Sequence, residues 1–264
     1  RFCTVFALAL FPLVSWADYR IGTWTIDITP TTAEASESCL GGYGQAFQRC
    51  GSVEINDNIT VRSLTISDHD TRTHLAVIDA IGVGDSLISD IKTLVNYISF
   101  GTIKENQVTI LATHTHAGPD LQGLWGGVST SYRNRVVINT AISIVLSKLF
   151  SFESEAYVFR SSADVVNRRG WDIVEDNVNV LDFRRKGTNK RIATLINISA
   201  HPTIMDESNS GYSAGYVHFL RAKVESTLAT SALVINGALG DAEPRVNGEH
   251  TYRAAMQFGE DTAN

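Results

Sequence analysis

Four short polar segments hold the residue types that chemistry needs. The sharpest is Thr113-His114-Thr115-His116-Ala117-Gly118-Pro119, which follows the apolar run Val108 to Ala112. Two histidines spaced i, i+2 in extended chain point to one side, and neutral imidazole is a common zinc ligand. His201 stands just past a second apolar run, Thr194 to Ser199, with Pro202 ending any regular ladder. The third segment, Gly240-Asp241-Ala242-Glu243-Pro244-Arg245, follows Ala232 to Ile235, and its Asp241 and Glu243 offer carboxylates to a metal or a water. The fourth, Asn167-Arg168-Arg169, offers a guanidinium to an anion or a developing oxyanion. Each has a plainer reading by itself: solvated loop histidines, a structural histidine, a polar turn, a surface basic pair. His114, His116 and His201, each beyond a strand end, argue together for a metal site. The remaining histidines fit less well: His69 and His74 flank an expected hairpin, His218 falls inside a helix, and His250 is close to the final residues.

The elements that would position these segments follow from periodicity. Tyr19 to Ile28, Ile59 to Ile66 and His74 to Ile81 are rich in β-branched and apolar residues and read as strands. Leu87, Ile88, Ile91, Leu94, Val95 and Ile98 recur at helical spacing after Asp85 or Ser86, either of which can cap the helix. Gln107 to Ala112 is a short buried strand. A second helix covers Ser131 to Phe150, and strands follow at Glu155 to Ser162, Val178 to Arg184 and Arg191 to Ser199. Tyr216 to Leu228 is a third helix, Ala232 to Ile235 a further strand, and a last helix starts near Glu249. Interleaved strands and helices predict an α/β fold, a mixed β-sheet core flanked by helices in a single domain.

Hydrophobic residues are 44% of the 264 and charged residues 19%, enough to bury a substantial core. The net charge is -6, and the densest basic stretch, Arg184 to Arg191, reads as a polar hairpin, so no electrostatic case exists for nucleic acid. Arg1, the apolar run Phe2 to Val14 and the small residues around Trp16 have the form of a signal peptide over residues 1–17, which predicts a secreted or periplasmic protein beginning near Asp18. That run is too short for a comfortable membrane span, and no later stretch is long and apolar enough to be one. With Cys3 removed in the signal, Cys39 and Cys50 remain as an even pair around a glycine-rich turn, which predicts a disulfide.

Taken in order, Gly22 to Pro30, Ala112 to Pro119, Asn167 to Arg169, Ser199 to Thr203 and Gly237 to Pro244 resemble the N-terminal catalytic domain of the neutral/alkaline ceramidase family. The resemblance spans nearly all of residues 18–264, and Thr-His-Thr-His-x-Gly-Pro is its most specific piece. It implies a zinc-dependent amidase cleaving the N-acyl bond of ceramide (N-acylsphingosine) or a related lipid amide. His114 and His201 match the family's zinc-binding histidines, and His116 and Arg168 match residues near the substrate carbonyl. The resemblance puts two more zinc ligands, a Glu and a Tyr, beyond residue 264, followed by an immunoglobulin-like domain. A 264-residue piece lacking those ligands is expected to turn over little substrate. Glu243 departs from the family, standing in place of the serine of Gly-Asp-x-Ser-Pro, and Ala117 replaces a common serine.

These readings predict a zinc-dependent lipid amidohydrolase with His114 and His201 on the metal. His116, Arg168 and Glu243 are the catalytic candidates, with Glu243 as a general base toward water. A lipid amide substrate leaves room for peripheral membrane contact. The alternative is a non-catalytic exported lipid- or metal-binding protein that keeps the fold without the machinery, a reading that Glu243 motivates. One expectation can be checked directly: a non-reduced digest of secreted protein should yield a peptide pair joined through Cys39 and Cys50 by mass spectrometry. Free thiols at both positions would refute the bridge.

Overall fold

The computed structural model describes residues 13–44, 48–68, 70–246, 248 and 250–264. In chain order these form β1 (Leu13–Asp27), α1 (Thr32–Ser36), β2 (Cys39–Leu40), β3 (Arg49–Cys50), β4 (Thr60–Ser67), β5 (Arg72–Ile78), α2 (Asp85–Ile98), β6 (Val108–Ala112) and α3 (Thr130–Leu149). Then follow β7 (Phe152–Ser162), β8 (Val165–Asn167), β9 (Asn177–Arg185), β10 (Arg191–Ile198), α4 (Tyr216–Leu228), β11 (Ser231–Asn236), β12 (Ala242–Pro244) and α5 (Tyr252–Ala263). The chain is an α/β domain built on one mixed eight-stranded sheet, in the order β11-β10-β9-β7-β1-β4-β5-β6.

The middle of this sheet is antiparallel, and only its two edge pairs are parallel, β5 with β6 and β10 with β11. Parallel neighbours need a crossover, and α2 and α4 provide one at each edge. On β4 the buried odd positions face α3: Ser63 accepts a 2.8 Å hydrogen bond from Ser143, and Thr65 lies 2.7 Å from Ser147. Gly22 on β1 permits this contact, because a Cβ there would stand 1.9 Å from the Ser147 carbonyl. Helices α2 and α3 thus cover one half of the sheet over Val61, Ile78 and Ile110. Helices α4 and α5 cover the other half over Ile196, Ile198 and Val234.

A third cluster lies between the halves. Ile21, Leu64, Val77, Phe183, Leu195 and Leu233 come from six different strands and pack together. The sheet is therefore folded over on itself, and β11 lies against β4 and β5 although they are not its neighbours in the sheet. An Asn236 side chain on one edge donates to the Ala112 carbonyl on the other at 3.0 Å. Curling of this kind follows from the twist of a wide sheet, and it brings the carboxyl ends of β6, β10 and β11 to one place.

The fold is locked where α4 meets β5. Arg221 and Asp79 are 1% and 0% exposed and exchange two hydrogen bonds of 2.8 Å. Burial alone would raise the Asp79 carboxyl; the Arg221 guanidinium, with the Thr60 hydrogen bond and the Arg62 charge, outweighs it and holds the group below its ordinary value. Asp79 also accepts from the Thr60 N–H and hydroxyl, at 2.9 and 2.7 Å.

Several boundaries differ from the sequence expectations. The strand expected to run to Ile81 ends at Ile78, because Asp79 turns inward to Thr60 and Arg221. Gly84 caps α2 without a side-chain bond, and Asp85 sits in the first turn instead, where a negative charge suits the helix dipole. The last helix begins at Tyr252, capped by Thr251, and not at Glu249. β1 begins at Leu13, ahead of the expected Tyr19. The signal-peptide reading falls mostly outside the described residues, as does His69. Cys39 and Cys50 pair directly across β2 and β3 and are joined by a disulfide. The basic stretch after β9 is a hairpin, closed by the Arg185 N–H on the Lys190 carbonyl at 2.9 Å.

Replacing Arg221 by Met strands a buried carboxylate, a change that costs about 3–5 kcal/mol where such pairs are broken. The urea midpoint should fall accordingly, and the Asp79→Leu/Arg221→Met double variant should be less destabilised than Arg221→Met alone. An unchanged midpoint in the single variant would show that the pair does not lock the fold.

Candidate metal centre

His114 and His116 leave the carboxyl end of β6, and His201 leaves that of β10. The first loop is held in an unusual shape. His114 has φ 64, a left-handed conformation that non-glycine residues adopt only when their surroundings impose it. Here the surroundings do: the Thr113 N–H binds the Ile78 carbonyl at 3.0 Å and the Thr115 hydroxyl the Ser213 carbonyl at 2.9 Å. The His116 N–H binds the Pro202 carbonyl at 3.3 Å, which ties this loop to the one carrying His201. That second loop is fixed by the His201 N–H on the Ala242 carbonyl at 2.8 Å, and by the Tyr216 hydroxyl on the Ala200 carbonyl at 2.7 Å.

The result is a cluster of three imidazoles. Ring centroids are 5.3 Å apart for His114 and His116, 4.9 Å for His114 and His201, and 5.0 Å for His116 and His201. One nitrogen from each lies within 4.8 Å of the others. His114 Nδ1 is 2.7 Å from the Ile81 carbonyl, an acceptor, so Nδ1 carries the proton and Nε2 keeps its lone pair. The Nε2 atoms of His116 and His201 face each other at 3.1 Å, and Nδ1 of His116 is buried with no hydrogen-bond partner. Two ligands of a tetrahedral zinc stand roughly 3.3 Å apart at ordinary zinc–nitrogen lengths. Three ring nitrogens that converge at about that spacing form a donor set that fits a metal. Burial, and then the neighbouring imidazoles and Arg168, depress His116 to about 3 and His201 to about 4. Both rings are neutral near pH 7, the form that binds a metal.

The other candidates meet through a pairing that the sequence did not suggest. β8 and β12 are three residues each and lie antiparallel, with Asn167 opposite Ala242 and Val166 opposite Glu243. Arg168 follows β8 and approaches Glu243 at 3.5 Å. Their side chains are 42% and 35% exposed, so neither is buried. Asp241 holds this two-stranded ladder: its carboxylate accepts from the Asn167 amide at 2.9 Å and its carbonyl from the Arg168 N–H at 2.8 Å. It is not in the metal-capable cluster.

All five candidates, His114, His116, Arg168, His201 and Glu243, line one open cleft of about 540 Å³. A larger hollow of about 650 Å³ beside α5 contains none of them. The sequence reading missed Tyr43 and Trp125, which form an aromatic wall of the cleft, and set aside His250, which lines it too. Tyr43 donates its hydroxyl to the Met205 carbonyl, and the Trp125 indole donates to the Tyr43 carbonyl at 2.7 Å. Behind Tyr43, Gly42 takes φ 100 and lies so close to His116 that a Cβ would be 2.6 Å from Nδ1. The Trp125 loop is wound around Asp120, whose buried carboxylate accepts from the N–H groups of Gln122, Gly123, Leu124, Trp125 and Gly127. The glycine-rich turn around Tyr43 was visible in sequence as a disulfide-flanked loop, with nothing to connect it to the histidines.

No protein-family model matches the chain, and no curated protein matches it in sequence. Two solved structures of ceramidases are among those that share its fold. One is described as neutral ceramidase from Pseudomonas aeruginosa, the other as a ceramidase complexed with C2. Each aligns over 94% of this chain with a TM-score of 0.81 and 18% identity. The chain spans 44% of the length of the first and 43% of the second. At that identity the likeness speaks for architecture alone: the folded-over sheet and its helices form the fold found in part of those ceramidase structures.

Proposed function

We propose that this chain contributes a zinc site to an exported hydrolase that cleaves an amide bond in a lipid, ceramide or a related N-acyl lipid. The observation that carries the reading is the convergence of one ring nitrogen each from His114, His116 and His201 on one wall of the cleft. The ceramidase structures of the same fold support the choice of substrate class. His114 and His201 would hold the zinc. The metal, when bound, supplies Lewis-acid polarisation of an amide carbonyl.

The chain's own residues supply the rest. His116 presents a neutral imidazole beside the same spot and can pass a proton to or from a reacting group. Arg168 brings positive charge to the cleft, where an oxyanion would compete with Glu243 for it. Glu243 offers a carboxylate that can take a proton from water. The disulfide suits an oxidising compartment, in keeping with a secreted or periplasmic protein. Among the described residues no helix is long and apolar enough to cross a membrane, so contact with a lipid substrate would be peripheral. The Arg168–Glu243 ion pair favours one second reading, a non-catalytic lipid- or metal-binding protein in which the two side chains satisfy each other.

Elemental analysis of the protein purified at its natural length should find about one zinc per chain. The His114→Ala/His201→Ala double variant should lose it, and stoichiometric zinc retained there would sink the site. Glu243→Gln separates the two readings. A fall of about 100-fold or more in amide hydrolysis marks a general base. No hydrolysis by zinc-loaded wild type on any N-acyl lipid would favour the binding protein.

A further inference from the structure

The left-handed backbone at His114 persists only while the loop around it is held from several sides. One of those holds comes from outside the candidate catalytic set. Arg49 extends from β3 and donates Nη2 to the His116 carbonyl at 2.5 Å and to the Gly41 carbonyl at 2.7 Å. Its Nη1 donates to the Asn209 carbonyl at 2.9 Å, and the guanidinium lies 5.0 Å from the centre of the Tyr43 ring. One side chain thus joins three segments: the Gly41–Tyr43 turn, the end of the histidine loop and the stretch after Met205. The rigid planar fork of a guanidinium fixes the directions of its donors, so the three carbonyls are held in a set arrangement.

Arg49 is itself held. The next residue, Cys50, is bonded to Cys39, and the Cys39 backbone is hydrogen-bonded to the segment that follows the histidine loop. The Cys39 carbonyl accepts from the Asp120 N–H at 2.9 Å, and Leu40 is bridged to Pro119. The disulfide also packs on Gly126, where a Cβ would stand 2.5 Å from Cys39 Sγ. We propose that Arg49, tethered by the Cys39–Cys50 disulfide, is a positioning residue of the metal centre: it holds the loop bearing His114 and His116 so that their imidazoles reach His201. This deepens the reading above and rests on it, since it takes the cluster to be a metal site.

The test measures the metal and not turnover. Zinc affinity is determined by competition with a chelating dye, and Co²⁺ loading by visible absorption, for wild type, Arg49→Met, Arg49→Lys and Cys39→Ala/Cys50→Ala. Loss of an outer partner typically weakens metal binding by 10–100-fold. Arg49→Met should bind zinc about 10-fold or more weakly and show a shifted Co²⁺ band, at an essentially unchanged circular dichroism spectrum. Arg49→Lys keeps the charge without the fork and should behave like the Met variant; recovery of wild-type affinity by Lys would overturn the proposal in favour of a simple charge effect. The cysteine variant should move in the same direction. Should Arg49→Met fail to fold, the Lys and cysteine variants make the same comparison. Wild-type affinity and spectrum in the folded variants overturn the role of Arg49. Absence of metal binding by wild type itself overturns the zinc reading, a separate outcome.

Discussion

Asp79 and Arg221 meet where no water reaches them, and most of what the cleft requires can be traced to that contact. Asp79 lies two residues before Ile81, whose carbonyl orients His114. Arg221 lies on α4, whose first residue, Tyr216, holds the residue before His201. The segment leading into α4 provides the Ser213 carbonyl that braces Thr115. One ion pair therefore ties the support of the first histidine loop to the support of the second. It does so across the line where the two halves of the sheet face each other. A pair so deeply buried gains little net stability over apolar residues of equal size. Its value is in geometry, since it admits only one placement of α4 against β5.

How far the sequence discloses this arrangement depends on the distance over which each signal acts. Strands such as β4 and β10 and the helices α3 and α4 carry their own periodicity, and their residues predict them to within a few positions. The histidines stood out because each follows a buried strand. Their meeting is a different matter: His116 and His201 are 85 residues apart and leave strands near opposite edges of the sheet. Nothing local encodes the curl that joins those edges, which arises from the twist of all eight strands and from the inner cluster of Ile21, Leu64 and Leu233.

The Arg168–Glu243 contact was hidden for another reason. β8 and β12 are too short to show alternation, and Asn167 and Asp241 clasp the two distant strands together, a role that residue type alone does not distinguish from ligation. Arg49 was equally silent. An arginine beside a cysteine in a polar stretch reads as surface, and its three carbonyl acceptors come from segments up to 160 residues away. The resemblance to ceramidases helped with the order of the segments, and the shared fold agrees with it.

The loop around Asp120 has a consequence for how this cleft can diverge. Its frame is a carboxylate collecting backbone N–H groups, and every residue type except proline carries one of those. The side chains of Gln122 and Leu124 are therefore not what shapes the turn, although Gln122 also fills space beside Gly82. A lineage could exchange the residue at the position of Leu124, or of Trp125, and inherit the same curve of chain beside the three histidines. The turn behaves as a mount with interchangeable fittings. The lining of the cleft can drift there while the histidine loops, whose backbone tolerates so little, stay fixed.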